Sequence, residues 1–171
     1  MRILATMTRG EETFPRLPIV PLIERYGLGE FDDVFDTRSI LRMASAVCDL
    51  PTGHVLYLVD FASCRKPGMD EARLSRLDNE AHAEAAASDG FLLYFRGDAD
   101  SDGHCRSFCV WRSRRAGSDA ARKPKHRAAA AITAEAYDAY TVTMRELWLD
   151  RSSTGFGVGE TRSYAIPALD A

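Results

Sequence analysis

Apolar positions along the chain change their period at a few sharp points, and those changes mark out elements. The run HVLYLVDFA, residues 54 to 62, is rich in β-formers and bounded by Pro51 and Gly53 on one side and Pro67 and Gly68 on the other. It predicts a strand buried on both faces. From Asp70 to Ser88 the period becomes helical: Leu74, Leu77, Ala81 and Ala85 share a face, Arg73, Arg76, Glu80 and Glu84 lie off its centre, and Gly90 closes the segment. FLLYFR, residues 91 to 96, returns to strand. CRSFCVWRS, residues 105 to 113, follows as a second strand, with Cys105, Ser107, Cys109 and Trp111 on one face and Arg106, Phe108, Val110 and Arg112 on the other. A helix then begins near Ser113. Pro124 interrupts it, and because proline suits the first turn of a helix, a fresh helix is expected from there through Tyr140. TVTMRELWL, residues 141 to 149, is the closing strand.

Residues 54 to 150 therefore read β-α-β-β-α-β, the order of an antiparallel ferredoxin-like sheet with both helices on one face, an α+β fold. Residues 1 to 50 form an N-terminal extension: an apolar stretch from Ile3 to Met7, a segment punctuated by Pro15, Pro18 and Pro21, and a helix from about Thr37 to Val47. Ile40, Leu41, Ala44 and Val47 give that helix its apolar face, and Asp36 or Thr37 caps its start. The extension is too small to hold a core alone and is expected to pack on the main unit as part of a single domain. Residues 151 to 171, containing STGFGVGE, read as a loop and tail.

Composition narrows the function classes. A chain of 171 residues with 46% hydrophobic and 27% charged residues has apolar mass for a core. Its net charge of -3 and pI near 5.8 argue against general affinity for nucleic acid or an anionic membrane. The N-terminus lacks the pattern of a secretory signal, and LPIVPLI is too short and proline-broken to span a bilayer, so a cytoplasmic address is expected. Cys48, Cys64, Cys105 and Cys109 form no CxxC pair and are expected as free thiols.

Several groups carry candidate chemistry. In DADSDGH, Asp98, Asp100, Asp102 and Gly103 match the first six positions of a calcium loop, but Cys109 stands where a bidentate glutamate belongs and the flanks alternate as strands. The segment reads as a hairpin turn. Cys105 and Cys109, roughly 13 Å apart along a strand, cannot share one ion, and no metal is expected. On the later helix, Ala130, Thr133, Tyr137 and Tyr140 fall within roughly 40° of His126 at 100° per residue. That stripe offers His126 as a general base or haem ligand and Tyr137 as a proton donor; the same pattern is also that of packed core residues. Asp78 and His82 lie four residues apart, so the carboxylate can orient the imidazole, or the two form a surface pair. Arg112, Arg114, Arg115, Arg122, Lys123, Lys125 and Arg127 concentrate positive charge around the helix break.

The string SFCVWRSRRAGSDAARKPKHRAAA resembles the dimeric α/β-barrel superfamily, in particular small antibiotic-biosynthesis-monooxygenase-like proteins, through Trp111, Ser113 and His126. The resemblance implies two ferredoxin-like units paired sheet to sheet as a homodimer, and a ligand cavity between each sheet and its helices. Members include cofactor-free oxygenases, haem-degrading enzymes and haem proteins. In the register set by Trp111 and Ser113, the helical histidine of haem-degrading members would fall near Ala130. The expected function is a small-molecule enzyme, a monooxygenase-like oxidoreductase, with His126, Tyr137 and His82 as catalytic candidates and Trp111, Arg106 and Arg112 as substrate-binding ones. Two alternatives stand beside it: a non-catalytic protein binding haem or another planar ligand, and a structural or regulatory dimer. The cofactor is accordingly none or haem.

Overall fold

The computed structural model describes residues 19 to 148 apart from 49 and 52, and the backbone alone of 149–152, 155–158 and 162–166. The segment Ile3 to Met7 and Pro15 and Pro18 lie outside the described residues. The elements run α1 (Phe31–Val34), α2 (Thr37–Val47), β1 (Val55–Arg65), α3 (Glu71–Ala86), β2 (Phe91–Phe95), β3 (His104–Trp111), α4 (Arg114–Ala121), α5 (Pro124–Ala131), α6 (Thr133–Ala136), β4 (Tyr137–Ser152), β5 (Gly155–Val158) and β6 (Arg162–Ile166).

Local chemistry sets most of these boundaries. Asp36 caps α2 through Arg38 N, Asp70 caps α3 through Arg73 N, and Ser113 caps α4 through Ala116 N. Pro124 sits in the first turn of α5, where its missing N–H costs nothing. The DADSDGH segment is the β2–β3 turn: Asp100 N donates to His104 O at 2.9 Å, and Gly103 takes φ +87°, a conformation other side chains resist.

The strands order as β2-β3-β1-β4 with every neighbour antiparallel. Each half connects strand, helix and strand with one strand left between, the split-βαβ arrangement of the ferredoxin-like fold. Val59 stands opposite Cys109 and Met144, and Asp60 opposite Phe108 and Thr143.

Two expectations are corrected. The helix from Pro124 does not reach Tyr140: it stops at Ala131, α6 adds one turn, and Tyr137 already begins β4 opposite Arg65. Residues 151 to 171 are not only loop and tail, since β5 and β6 pair antiparallel with β4. Tyr137 takes its ladder from β1, far away in the sequence, whereas β5 and β6 pair back onto β4 from just after it; neither pairing is reported by side-chain period.

The sheet buries both faces. One carries Val59, Trp111 and Met144 beneath α3 and α4, with Ala85 and Ala120 sealing from the helices. The other carries Leu56, Leu58, Phe108, Val110 and Leu147 and is covered by the N-terminal segment through Phe31, Val34, Phe35, Ile40, Leu41 and Ala44, all essentially inaccessible. The extension thus contributes to the largest of the three apolar clusters among the described residues. At about 1.5–3 kcal/mol for each large side chain buried, it is a structural layer. Within it Arg106 pairs with Asp60 at 3.1 Å and donates to Gly29 O, while Arg145 bonds Asp32 at 3.0 Å.

Candidate functional site

The sheet face under the helical layer is only partly covered on the α5 side, and we take this partly covered strip as the candidate recess. Helix α5 packs against α3, α4 and α6, and none of its residues is fully buried, so it does not seal onto the strands. Beneath it the sheet presents Phe61, Ser107, Cys109, Tyr140 and Val142, all half-buried. Burial raises the Tyr140 phenol well above its ordinary range and pushes the Cys109 thiol up to about 12, yet neither side chain is closed off from solvent. The ring of Tyr140 lies 5.0 Å from that of Tyr137 and 6.4 Å from Phe61. Burial likewise raises the Tyr137 and Cys105 acids. Near neutral pH the lining is therefore neutral phenols and thiols with aromatic faces: hydrogen-bond donors in an apolar setting, and no resident anion among them.

His126 of α5 and Glu84 of α3 meet where the two helices pack. Glu84 Oε2 lies 3.3 Å from His126 Nδ1 and also accepts from the backbone N–H groups of Lys125 (3.0 Å) and His126 (3.2 Å), so one carboxylate caps α5 and orients the imidazole. The backbone bonds to His126 and Lys125 and the imidazole itself draw the Glu84 carboxyl below its usual range, against the opposing effect of burial. A proton on Nδ1 facing a carboxylate leaves the Nε2 lone pair available.

The other candidates are dispersed. His82 lies on the opposite flank of α3 from His126, its ring 4.7 Å from Tyr94 and 5.8 Å from Phe91. Burial lowers its pKa, with Asp78 opposing. Tyr94 donates to Asp78 Oδ1 at 2.7 Å. Tyr137 is on β4, so it shares no helical stripe with His126, though it borders the recess. Trp111 is core: its ring is 5.2 Å from Phe91, and its Nε1 donates to Cys109 Sγ at 3.0 Å. Arg106 faces the N-terminal layer on the far side of the sheet, and Arg112 is exposed, its carbonyl bonded to His54 Nε2 at 2.9 Å. Neither arginine lines the recess.

The basic cluster is largely met within the chain. Arg115 and Arg122 pair with Asp119, Lys125 with Glu80, and Lys123 donates to Ser88 Oγ. The shallow cleft of about 220 Å³ there is lined by Asp89 and Asp119 as well as Arg115 and Lys123, charges of both signs. Asp100, Asp102 and His104 bring donor atoms within 4.8 Å of one another, and Arg25 occupies the position of a cation between the two carboxylates.

Three of the four histidines are engaged elsewhere: His82 is stacked against Phe91 and Tyr94, His54 bonds Arg112 O, and His104 sits in the β2–β3 turn beside Asp100. His126, with Nδ1 at Glu84, is the one whose Nε2 would meet a haem iron.

Comparison with known proteins follows the fold. Rv0793 from Mycobacterium tuberculosis is 21% identical with a TM-score of 0.45, covering 53% of this chain and 91% of that one. The NE2512 protein from Nitrosomonas europaea is 21% identical with a TM-score of 0.46, over 60% and 100%. SnoaB, a cofactor-independent oxygenase from Streptomyces nogalater, is 16% identical with a TM-score of 0.42, over 60% and 98%. No curated protein sequence matches. No described helix is long and apolar enough to cross a membrane. One family model, described as PB2B2.08-like, matches residues 18 to 158, spanning the N-terminal layer, the sheet and its helices, and the chain belongs to that PB2B2.08-like family.

Proposed function

We propose that this protein is an enzyme of the monooxygenase-like kind that acts on a small planar molecule held in the recess beneath α5. The observation that carries the reading is the Glu84–His126 pair above a half-open floor of Phe61, Tyr140 and Val142. An imidazole whose Nδ1 is held by a carboxylate presents Nε2 as a proton acceptor, the requirement for a general base. Phenols kept neutral by burial donate hydrogen bonds to the oxygen of the anion so formed. His126 takes a proton from an acidic O–H or C–H of the substrate, Tyr140 and Tyr137 stabilise the resulting charge, and dioxygen is the second substrate that oxidises the electron-rich anion. His82, on the other flank of α3, has no part in this scheme. The oxidative step follows the resemblance carried by Trp111, Ser113 and His126.

The test is oxygen consumption over a panel of planar phenols and hydroquinones, with His126→Gln, Glu84→Gln and Tyr140→Phe beside the parent. We expect His126→Gln to lose at least a hundredfold in kcat/KM with native circular dichroism, in line with the contribution of a positioned base. Full turnover in that variant discards the base role. The homodimer belongs to the same proposal: because the chain's own N-terminal layer covers one sheet face, pairing uses a different surface.

A further inference from the structure

The loop from Val20 to Gly29 has its polarity inside out. Arg25 Nη2 reaches Asp100 at 3.4 Å and Asp102 at 2.5 Å in the β2–β3 turn. The Tyr26 hydroxyl donates to Asp98 O at 2.8 Å and accepts from Asp98 N at 2.7 Å, while its ring packs 6.3 Å from Phe35 and 6.2 Å from Phe95. Gly27 lies so close to the turn that a Cβ would meet the His104 carbonyl carbon at 2.9 Å. The polar side chains of the loop are thus engaged with the protein. Its apolar ones are not: Val20 is 77% exposed, Leu22 59%, Ile23 43% and Leu28 53%. With Val47 at the end of α2, these are the large hydrophobic side chains exposed among the described residues. Leu22, Ile23 and Leu28 gather around Val34, since Leu22 N donates to Val34 O at 2.7 Å and both Ile23 Cδ1 and Val34 Cγ2 lie against Gly29. A loop pinned on its polar side holds apolar groups in water before any partner arrives, an arrangement that marks an interaction surface.

Resting on the homodimer reading above, we infer that this surface seats a second copy of the chain, the two related by a two-fold axis. The four side chains expose about 400 Å² of apolar surface, close to the apolar half of the roughly 800 Å² that each partner gives to a standard interface. The sheet face is taken by the chain's own N-terminal layer, and no other cluster of exposed large apolar side chains stands among the described residues. The rim has no excess of positive charge: Glu24 and Glu30 are exposed, and Arg25 is met by Asp100 and Asp102, so anionic lipid and nucleic acid find no complement there. DADSDGH acquires a role in the same arrangement, because the carboxylates that resemble a calcium loop hold Arg25 and with it the docking loop.

The experiment is sedimentation velocity of the full chain from about 1 to 100 μM. Leu22→Glu/Leu28→Glu, Arg25→Ala and, as a control on the exposed side of α3, Ala72→Glu run beside the parent. The parent should be dimeric at about 10 μM. The double variant should raise the dimer dissociation constant about a hundredfold or more with native circular dichroism, since each charge would be buried against apolar side chains. Arg25→Ala should raise it severalfold by releasing the loop, and Ala72→Glu should leave it unchanged. A dimer that the double variant leaves intact, or that Ala72→Glu weakens equally, overturns this surface and leaves the homodimer standing. A parent that stays monomeric throughout overturns both, without touching the enzyme reading; if that monomer binds phosphatidylcholine vesicles, a lipid surface takes the place of the second copy. If the double variant loses its native spectrum, Leu22→Glu and Leu28→Glu are measured singly, and an unchanged constant in both is the overturning result.

Discussion

Phe31→Ala tests whether the N-terminal layer is part of the folding unit. Phe31 is inaccessible to solvent, and its ring lies 5.1 Å from Phe35, 5.3 Å edge-on from Phe108 and 4.9 Å beneath the Arg145 guanidinium. A phenyl ring buries on the order of 150–200 Å², which at about 25 cal/mol per Å² is about 4–5 kcal/mol, part of which the remaining methyl keeps. The cavity left and the lost ring contacts return a similar amount, so truncation should cost about 4 kcal/mol. With a urea m-value of about 2 kcal/mol/M, that moves the midpoint by roughly 2 M. The assay is urea unfolding followed by far-UV circular dichroism and by tryptophan fluorescence; Trp111 and Trp148 both lie on the sheet. Coincident transitions shifted together support a shared core. A loss below about 1 kcal/mol, or an early helix-only transition with fluorescence unmoved, would refute the reasoning, because the extension would then be a separable appendage.

Asp60 supplies a pH test. Burial raises its carboxyl from 3.8 to about 6, against the pull of Arg106 and Arg145 and with smaller pushes from Glu30 and Asp32. A carboxyl that holds its proton more tightly when folded loses stability as pH rises from about 4 to 6 and is level above, a change of about 3 kcal/mol. The stability of the parent relative to Asp60→Asn should fall by that order between pH 4 and pH 7, and a constant difference sinks the assignment. Gly97→Ala should destabilise by about 3 kcal/mol or more, because a Cβ there meets the Arg106 carbonyl and comes within 2.8 Å of Tyr26 Cε2; urea unfolding within about 0.5 kcal/mol of the parent contradicts it.

What the sequence determined alone is what neighbours along the chain decide. Caps at Asp36, Asp70 and Ser113, the proline that restarts a helix at 124, and the alternation from Cys105 to Trp111 are each written within a few residues. Their order was enough for the ferredoxin-like topology, because split-βαβ connection follows from succession of types. The tertiary structure decided the rest. Tyr137 to Tyr140 has helical spacing and becomes strand because β1 offers it a ladder opposite Ser63, Cys64 and Arg65. β5 and β6 exist by pairing with β4. Glu84 reads from its position as a solvated residue beside the apolar face of α3 until α5 lays His126 against it, and Arg106 becomes a partner of Asp60 under the N-terminal layer because alternation tells which residues share a face but not what covers it. Side-chain period is a local property of the backbone, whereas pairing and burial join residues such as Arg65 and Tyr137, or Glu84 and His126, that lie far apart in the chain, so the recess became visible only when the layers closed.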